Sequence, residues 1–217
     1  MFKLSGENLK EKIFKMLDGA VRKIIDPILK TTGEQLAKAG ISANMVTLFG
    51  ISIGLAAAVA IVANWFLFGL VLIILSRIAD GLDGAVARAT KKTDFGGYLD
   101  ISVDFLFYGA IVLGFILANP LSNALAGAFL LLSFYFNGAS FLGYAILAQK
   151  HDMKTDKQGE KSIYYSDGLI EGSETILFFI IICIWPKIFP IFAIIFALIT
   201  FATAIMRILH AKKTFLD

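Results

Sequence analysis

Charge is scarce in this sequence. Lys, Arg, Asp and Glu together make up 17% of its 217 residues, against roughly 25% in average soluble domains. Cysteine and histidine are scarcer still: one Cys, at position 183, and two His, at 151 and 210. A single thiol excludes an internal disulfide and a cysteine-based zinc cluster. Cys183 lies in an apolar run and reads as a small buried hydrophobe. His151 and His210 stand alone in polar or terminal stretches and are assigned no site. The first forty residues are charged and lack the short apolar run and small-residue cleavage site of a signal peptide, so no cleaved signal is expected. Internal repeats and low-complexity linkers are also missing.

What is abundant is apolar. Hydrophobic residues reach 58%, and the mean hydropathy is +0.77. This composition excludes a soluble globule and implies a membrane protein whose apolar surface faces lipid. The length suits one domain, or at most two.

Residues 7–30 place Ile13, Leu17, Val21, Ile24, Ile25 and Ile28 at steps of three and four, with Lys12, Lys15, Asp18, Arg22 and Lys23 between them. That spacing predicts an amphipathic helix with a basic face, kinked or ended by Pro27. It is too polar to span, so it is expected to lie on the membrane against anionic headgroups; a solvated helix in a soluble cap is the plainer alternative. Six spans are then expected, near 45–63, 66–88, 97–118, 121–148, 169–185 and 191–209. Trp65 is a plausible interfacial anchor. Asn119-Pro120 breaks the third span from the fourth, and the stretch from Pro186 to Pro190 makes a turn. Lys91, Lys92, Lys150, Lys154, Lys157, Lys161, Lys212 and Lys213 fall on one side, and only Lys187 on the other. The positive-inside bias therefore predicts cytoplasmic termini and a cytoplasmic loop between spans 2 and 3. The expected fold is an all-α membrane protein. Six transmembrane helices (43–210) surround a cytoplasm-facing polar cavity, an amphipathic juxtamembrane segment (1–42) precedes them, and a short cytoplasmic tail (211–217) follows.

Charges inside spans are costly and mark function. Here Arg77, Asp80, Asp83, Arg88, Asp100 and Asp104 gather at the hairpin of spans 2 and 3. At 3.6 residues per turn, Asp80, Asp83, Gly84, Ala87 and Arg88 share one face of span 2. Asp100 and Asp104 stand one turn apart on span 3, with Gly96 a turn earlier. The short loop makes the two helices antiparallel neighbours, so four carboxylates converge at one depth. They cannot all stay ionised there unless protons or cations compensate. Carboxylate oxygens without histidine or thiolate suit hard ions such as Mg²⁺ or Mn²⁺. Two such ions can bind and orient a diphosphate. Gly84 and Ala87 leave room for a bulky ligand, and Arg88 can pair with phosphate. A purely structural network with Arg77 and Arg88 leaves two aspartates unbalanced. An ion pathway lacks matching charges on spans 1, 4 and 6.

The run from Asp80 through Asp83, Gly84, Ala87 and Arg88, then Gly96, Asp100 and Asp104, resembles the signature of the CDP-alcohol phosphatidyltransferase family. All eight specified positions fall at the family's spacing. The likeness extends to six spans, a juxtamembrane helix, and Asn44 and Thr47 opening span 1, although Ala43 stands where the family often has proline. Residues 99–108 and 161–175 look like a small proteobacterial branch of inner-membrane members.

The resemblance implies that Asp80, Asp83, Asp100 and Asp104 hold two divalent cations, Mg²⁺ or Mn²⁺, which grip a CDP diphosphate. It places Asn44, Thr47, Gly84, Ala87, Arg88 and Gly96 around the CDP moiety. It makes Asp104 the base that deprotonates an acceptor alcohol. The partners it implies are a CDP-lipid donor, a small alcohol acceptor, membrane lipid and a second copy of the chain, with no nucleic acid. On the acceptor side, Lys161, Tyr165, Glu171 and Glu174 are candidates. Lys161 can attract a phosphate or carboxylate, or only serve the positive-inside bias. Glu171 and Glu174 can bind hydroxyls, or only favour a helix N-terminus that Ser166 or Asp167 caps. Arg207, near the end of span 6, can face the cavity or snorkel to headgroups, and snorkelling is the expectation. Two rival functions are a Mg²⁺-dependent polyprenyl transferase, whose acidic motifs are spaced differently, and a non-enzymatic divalent-cation transporter.

Overall fold

A computed structural model describes residues 26–151 and 172–216, and all the regular structure among them is helical. The first helix, α1, covers residues 26–38. It continues past Pro27, which therefore does not end it; most of the expected amphipathic stretch 7–30 lies outside the described residues. The helix stops in a Schellman motif. Gly40 takes φ 80°, its N–H donates to Ala37 O at 3.0 Å, and the Ile41 N–H donates to Leu36 O at 3.0 Å.

Six helices follow: α2 (Ala43–Val62), α3 (Phe66–Ala89), α4 (Asp94–Ala118), α5 (Pro120–Lys150), α6 (Gly172–Ile184) and α7 (Phe189–Phe215). Local chemistry sets their ends. Ser42 caps α2, its hydroxyl accepting from the Met45 N–H at 3.3 Å. Thr93 caps α4 by accepting from the Gly96 N–H at 3.0 Å. Asn119 caps α5 while Pro120 takes its first turn, where the missing N–H costs nothing. The α2–α3 turn closes through Asn64 at φ 64°, a conformation that asparagine tolerates. The expected turn between the last two helices is a 3₁₀ turn, Pro186–Ile188, and Pro190 lies inside the first turn of α7 instead.

Helix α2 packs along α3 and α4, α4 also contacts α5, and α5 lies along α7. The core between them is aromatic. Phe107, Phe115, Phe179 and Phe189 are wholly buried, and the rings of Phe115 and Phe189 stack at 5.0 Å. Small residues let backbones approach. An added Cβ on Gly114 of α4 would lie 2.9 Å from the Ala58 carbonyl of α2, the close contact that apolar helices use where no hydrophobic force drives them together. The Ser76 hydroxyl ties α3 to α2 by donating to Gly50 O at 2.8 Å.

The outward surface is apolar: Leu121, Leu125, Val59 and Ile146 are among many large side chains left exposed, as a lipid-facing surface requires. Four segments are long and apolar enough to cross a membrane: Ala43–Val62, Asp94–Ala118, Pro120–Lys150 and Pro186–Phe215. This is a multi-pass membrane protein. The expected count of six spans meets this criterion in four. Helix α3 has 24 residues but carries Arg77, Asp80 and Asp83 in its second half, and α6 has 13 described residues.

Gly114→Val places a branched side chain against the Ala58 carbonyl. It should destabilise the protein by about 1–3 kcal/mol, measured as a lower thermal midpoint in detergent; an unchanged midpoint would refute this packing.

Candidate active site

The site forms where α3 and α4 turn back on each other beside the start of α2. Asp80 and Asp83 are three residues apart on α3, and Asp100 faces them from α4. Each of the three offers a carboxylate oxygen, and these oxygens all lie within 4.8 Å of one another. Asp83 is the most deeply placed, at 6% exposure. One of its oxygens accepts from the Thr47 hydroxyl of α2 at 2.6 Å. This bond fixes the carboxylate's orientation and offsets part of the cost of burying it.

The fourth expected ligand stands outside this trio. Asp104 Oδ1 accepts from Arg77 Nη1 at 2.6 Å, and the same nitrogen lies 3.5 Å from Asp80 Oδ1. The sequence offered Arg77 only as a partner of the aspartates in a purely structural network, and the structure does pair it with Asp104 and Asp80. Its signal was its place three residues before Asp80, on the same helix face.

A cavity of about 1100 Å³ opens beside these groups, lined in part by Asp83, Asp100 and Asp104. All six residues expected around the nucleotide, Asn44, Thr47, Gly84, Ala87, Arg88 and Gly96, lie on its wall. Gly84 lies beside the Arg88 guanidinium: a Cβ there would come within 3.2 Å of Arg88 Nη1. The acceptor-side expectations fare differently. Lys161, Tyr165 and Glu171 lie outside the described residues. Glu174 is placed in the first turn of α6, where its carboxylate accepts from Ser173 Oγ at 3.2 Å. It is not among the described residues lining the cavity, although Gly172 and Thr175 on either side of it are.

Arg207 corrects the sequence reading. It does not snorkel: it is 6% exposed and lines the same cavity. Its Nη1 donates to Asn137 Oδ1 at 2.9 Å and to Ser140 Oγ at 2.8 Å. These acceptors on α5 compensate for burial and remove the drive toward the interface. The signal available was the small and polar run Asn137-Gly-Ala-Ser140 inside an otherwise apolar helix.

The family model for CDP-alcohol phosphatidyltransferase matches residues 41–209. The chain belongs to that family. It is therefore a CDP-alcohol phosphatidyltransferase, an enzyme of phospholipid biosynthesis, and the polyprenyl-transferase and transporter readings have no support. It is 46% identical over 193 residues to the inner membrane protein YnjF of Escherichia coli (strain K12), covering 89% of this chain and 94% of the relative. It is 37% identical over 101 residues to the archaetidylinositol phosphate synthase of Pyrococcus horikoshii, covering 46% of this chain and 53% of that protein. The same fold occurs in the phosphatidylinositol phosphate synthase of Mycobacterium tuberculosis. Its structure with CDP-DAG bound aligns with a TM-score of 0.62 at 20% identity, covering 87% of this chain and 94% of that one. A second structure of that synthase holds manganese and citrate, with a TM-score of 0.62 at 20% identity over 86% of this chain and 89% of that one.

The CDP-alcohol phosphatidyltransferases use divalent metal, and the Asp80–Asp83–Asp100 trio fits one. The donors are all oxygens, they already converge, and the set contains no histidine or thiolate to favour a softer ion. Thr47→Val should leave the fold intact and weaken Mn²⁺ binding by about 10–100-fold, as expected when the partner that orients a metal ligand is lost. Isothermal titration in detergent measures it, and an unchanged affinity would remove Thr47 from the site.

Proposed function

We propose that this enzyme transfers a phosphatidyl group from CDP-diacylglycerol to an alcohol, releasing CMP, in the cell's inner membrane. The observation that carries this is the acidic trio opening onto a cavity whose wall bears every expected nucleotide position. In this reading α2 to α7 are six spans, and both termini and the cavity mouth are cytoplasmic. Lys91 and Lys92 at the cavity rim agree with that orientation. Homodimer assembly belongs to the same reading and rests on family resemblance.

The site residues divide the work. Asp80, Asp83 and Asp100 would hold divalent metal, Mg²⁺ or Mn²⁺, with Asp104 as a further ligand if two ions bind. Such metal, when bound, supplies positive charge to the diphosphate and to the departing CMP. Gly84 and Ala87 admit the nucleotide to the backbone, and Arg88 pairs with phosphate. Asp104 lines the cavity and takes the proton of the acceptor hydroxyl. The acceptor oxygen then forms a bond to the phosphorus that carries the lipid, and the bond from that phosphorus to the CMP oxygen breaks. The apolar cavity wall, including Phe105, Leu131 and Phe134, excludes water that would otherwise compete as acceptor.

Arg207 narrows the acceptor. A buried guanidinium on the cavity wall suits an alcohol that carries an anionic group, such as a phosphorylated polyol. The names of the archaeal and mycobacterial relatives point the same way. Asn137 and Ser140 hold the guanidinium in place for it.

Asp104→Asn should keep CDP-diacylglycerol binding and lose about 10²–10⁴-fold in CMP release, the range for a general base. Normal turnover in that variant would refute the base assignment. A screen of alcohols for CMP release from CDP-diacylglycerol identifies the acceptor. With a phosphorylated polyol, Arg207→Met should raise KM by about 10–100-fold, corresponding to a lost charged hydrogen bond of roughly 1.5–3 kcal/mol. An unaltered KM would place the anionic group elsewhere.

A further inference from the structure

Arg77 has no part in the chemistry above, yet it is held from four directions. Nη1 donates to Asp104 Oδ1 at 2.6 Å and stands 3.5 Å from Asp80 Oδ1. Nη2 donates to Ser76 Oγ at 3.4 Å. The guanidinium carbon lies 3.9 Å from the centroid of the Phe107 ring, a wholly buried side chain of α4. The Arg77 side chain itself is only 16% exposed. One guanidinium nitrogen thus reaches both Asp80 of the trio and Asp104, the carboxylate that the trio leaves out.

We infer that Arg77 is the resident counter-cation of this acidic cluster: a positioning residue that holds Asp104 beside Asp80 and opposes the divalent ion that Asp80, Asp83 and Asp100 attract. The inference rests on the reading of the trio as a metal site. Its physical basis is short. Carboxylates gathered in an apolar bundle need positive charge whether or not metal is bound, and a guanidinium fixed on the same helix supplies it at all times. A cation so close to the trio also repels any second cation that enters it. The ring face of Phe107 and the Ser76 hydroxyl, itself bonded to Gly50 O, keep the guanidinium from swinging out to solvent when metal arrives. Arg77 steadies Asp104 on the cavity wall, where the acceptor hydroxyl must come.

The test uses the full chain in detergent, with Mn²⁺ binding read by electron paramagnetic resonance and thermal midpoints recorded in EDTA and in saturating Mn²⁺. Arg77→Gln removes the charge but keeps a donor for Asp104. It should bind Mn²⁺ at least about tenfold more tightly than wild type, because a nearby like charge is gone. Its midpoint should fall in EDTA and recover in Mn²⁺. Arg77→Lys keeps the charge and should bind Mn²⁺ much as wild type does. Mn²⁺ affinity unchanged or weakened in Arg77→Gln overturns the inference, as does a loss of fold in EDTA that Mn²⁺ fails to rescue. Wild-type protein that binds no Mn²⁺ at all would instead fell the metal-site reading, and the inference with it.

Discussion

Carboxylates on α3 and α4 meet at one level of a bundle whose outer face is apolar, and their mutual repulsion has to be answered by positive charge. The rest of the structure is organised around that demand. Thr47 reaches from α2 to steady Asp83, and Arg77 reaches across from α3 to Asp104. The close packing of α2 against α3 and α4 brings these groups within reach of one another. The three helices that carry the site are also those drawn together by small residues and by the Ser76–Gly50 bond. Packing between apolar helices, rather than burial of a soluble-type core, therefore sets the precision of the polar site.

The division of the cavity follows from the same arrangement. One wall, from α2, α3 and the start of α4, bears the expected nucleotide positions together with Asp83, Asp100 and Asp104. The part of the lining that comes from α5 and α7 is mostly apolar, with Tyr135, Asn137, Thr200 and Arg207 as its polar side chains. A CDP-linked lipid and a polar alcohol need such a split: a charged end for the diphosphate, an apolar flank for the lipid, and a separate polar contact for the acceptor.

Much of this was legible in the sequence. The aspartates announced themselves because charge inside an apolar helix is expensive, and helical periodicity puts Asp80, Asp83, Gly84, Ala87 and Arg88 on one face. The short α3–α4 connection read as a pair of antiparallel neighbours, yet each of the two helices packs along α2 rather than along the other; Asn119-Pro120 marked a helix boundary through its capping chemistry. What periodicity cannot supply is the direction a side chain takes within its face. Asp104 shares the depth of the trio yet pairs with Arg77, because its partner lies 27 positions away on another helix. Arg207 read as a snorkelling residue because it nears a helix end; its acceptors are 67 and 70 positions earlier, on α5. Pro27 was expected to kink or end a helix and does not end α1, which runs on to residue 38.

The central claim is that bound divalent cation neutralises the charge at this level of the membrane. The most direct measurement is anomalous diffraction from crystals of the protein grown with Mn²⁺, recorded near the manganese absorption edge. A strong anomalous peak enclosed by Asp80, Asp83 and Asp100 is the predicted result. A well-ordered map of the same three side chains with no peak among them, at a Mn²⁺ concentration that supports turnover, would contradict it.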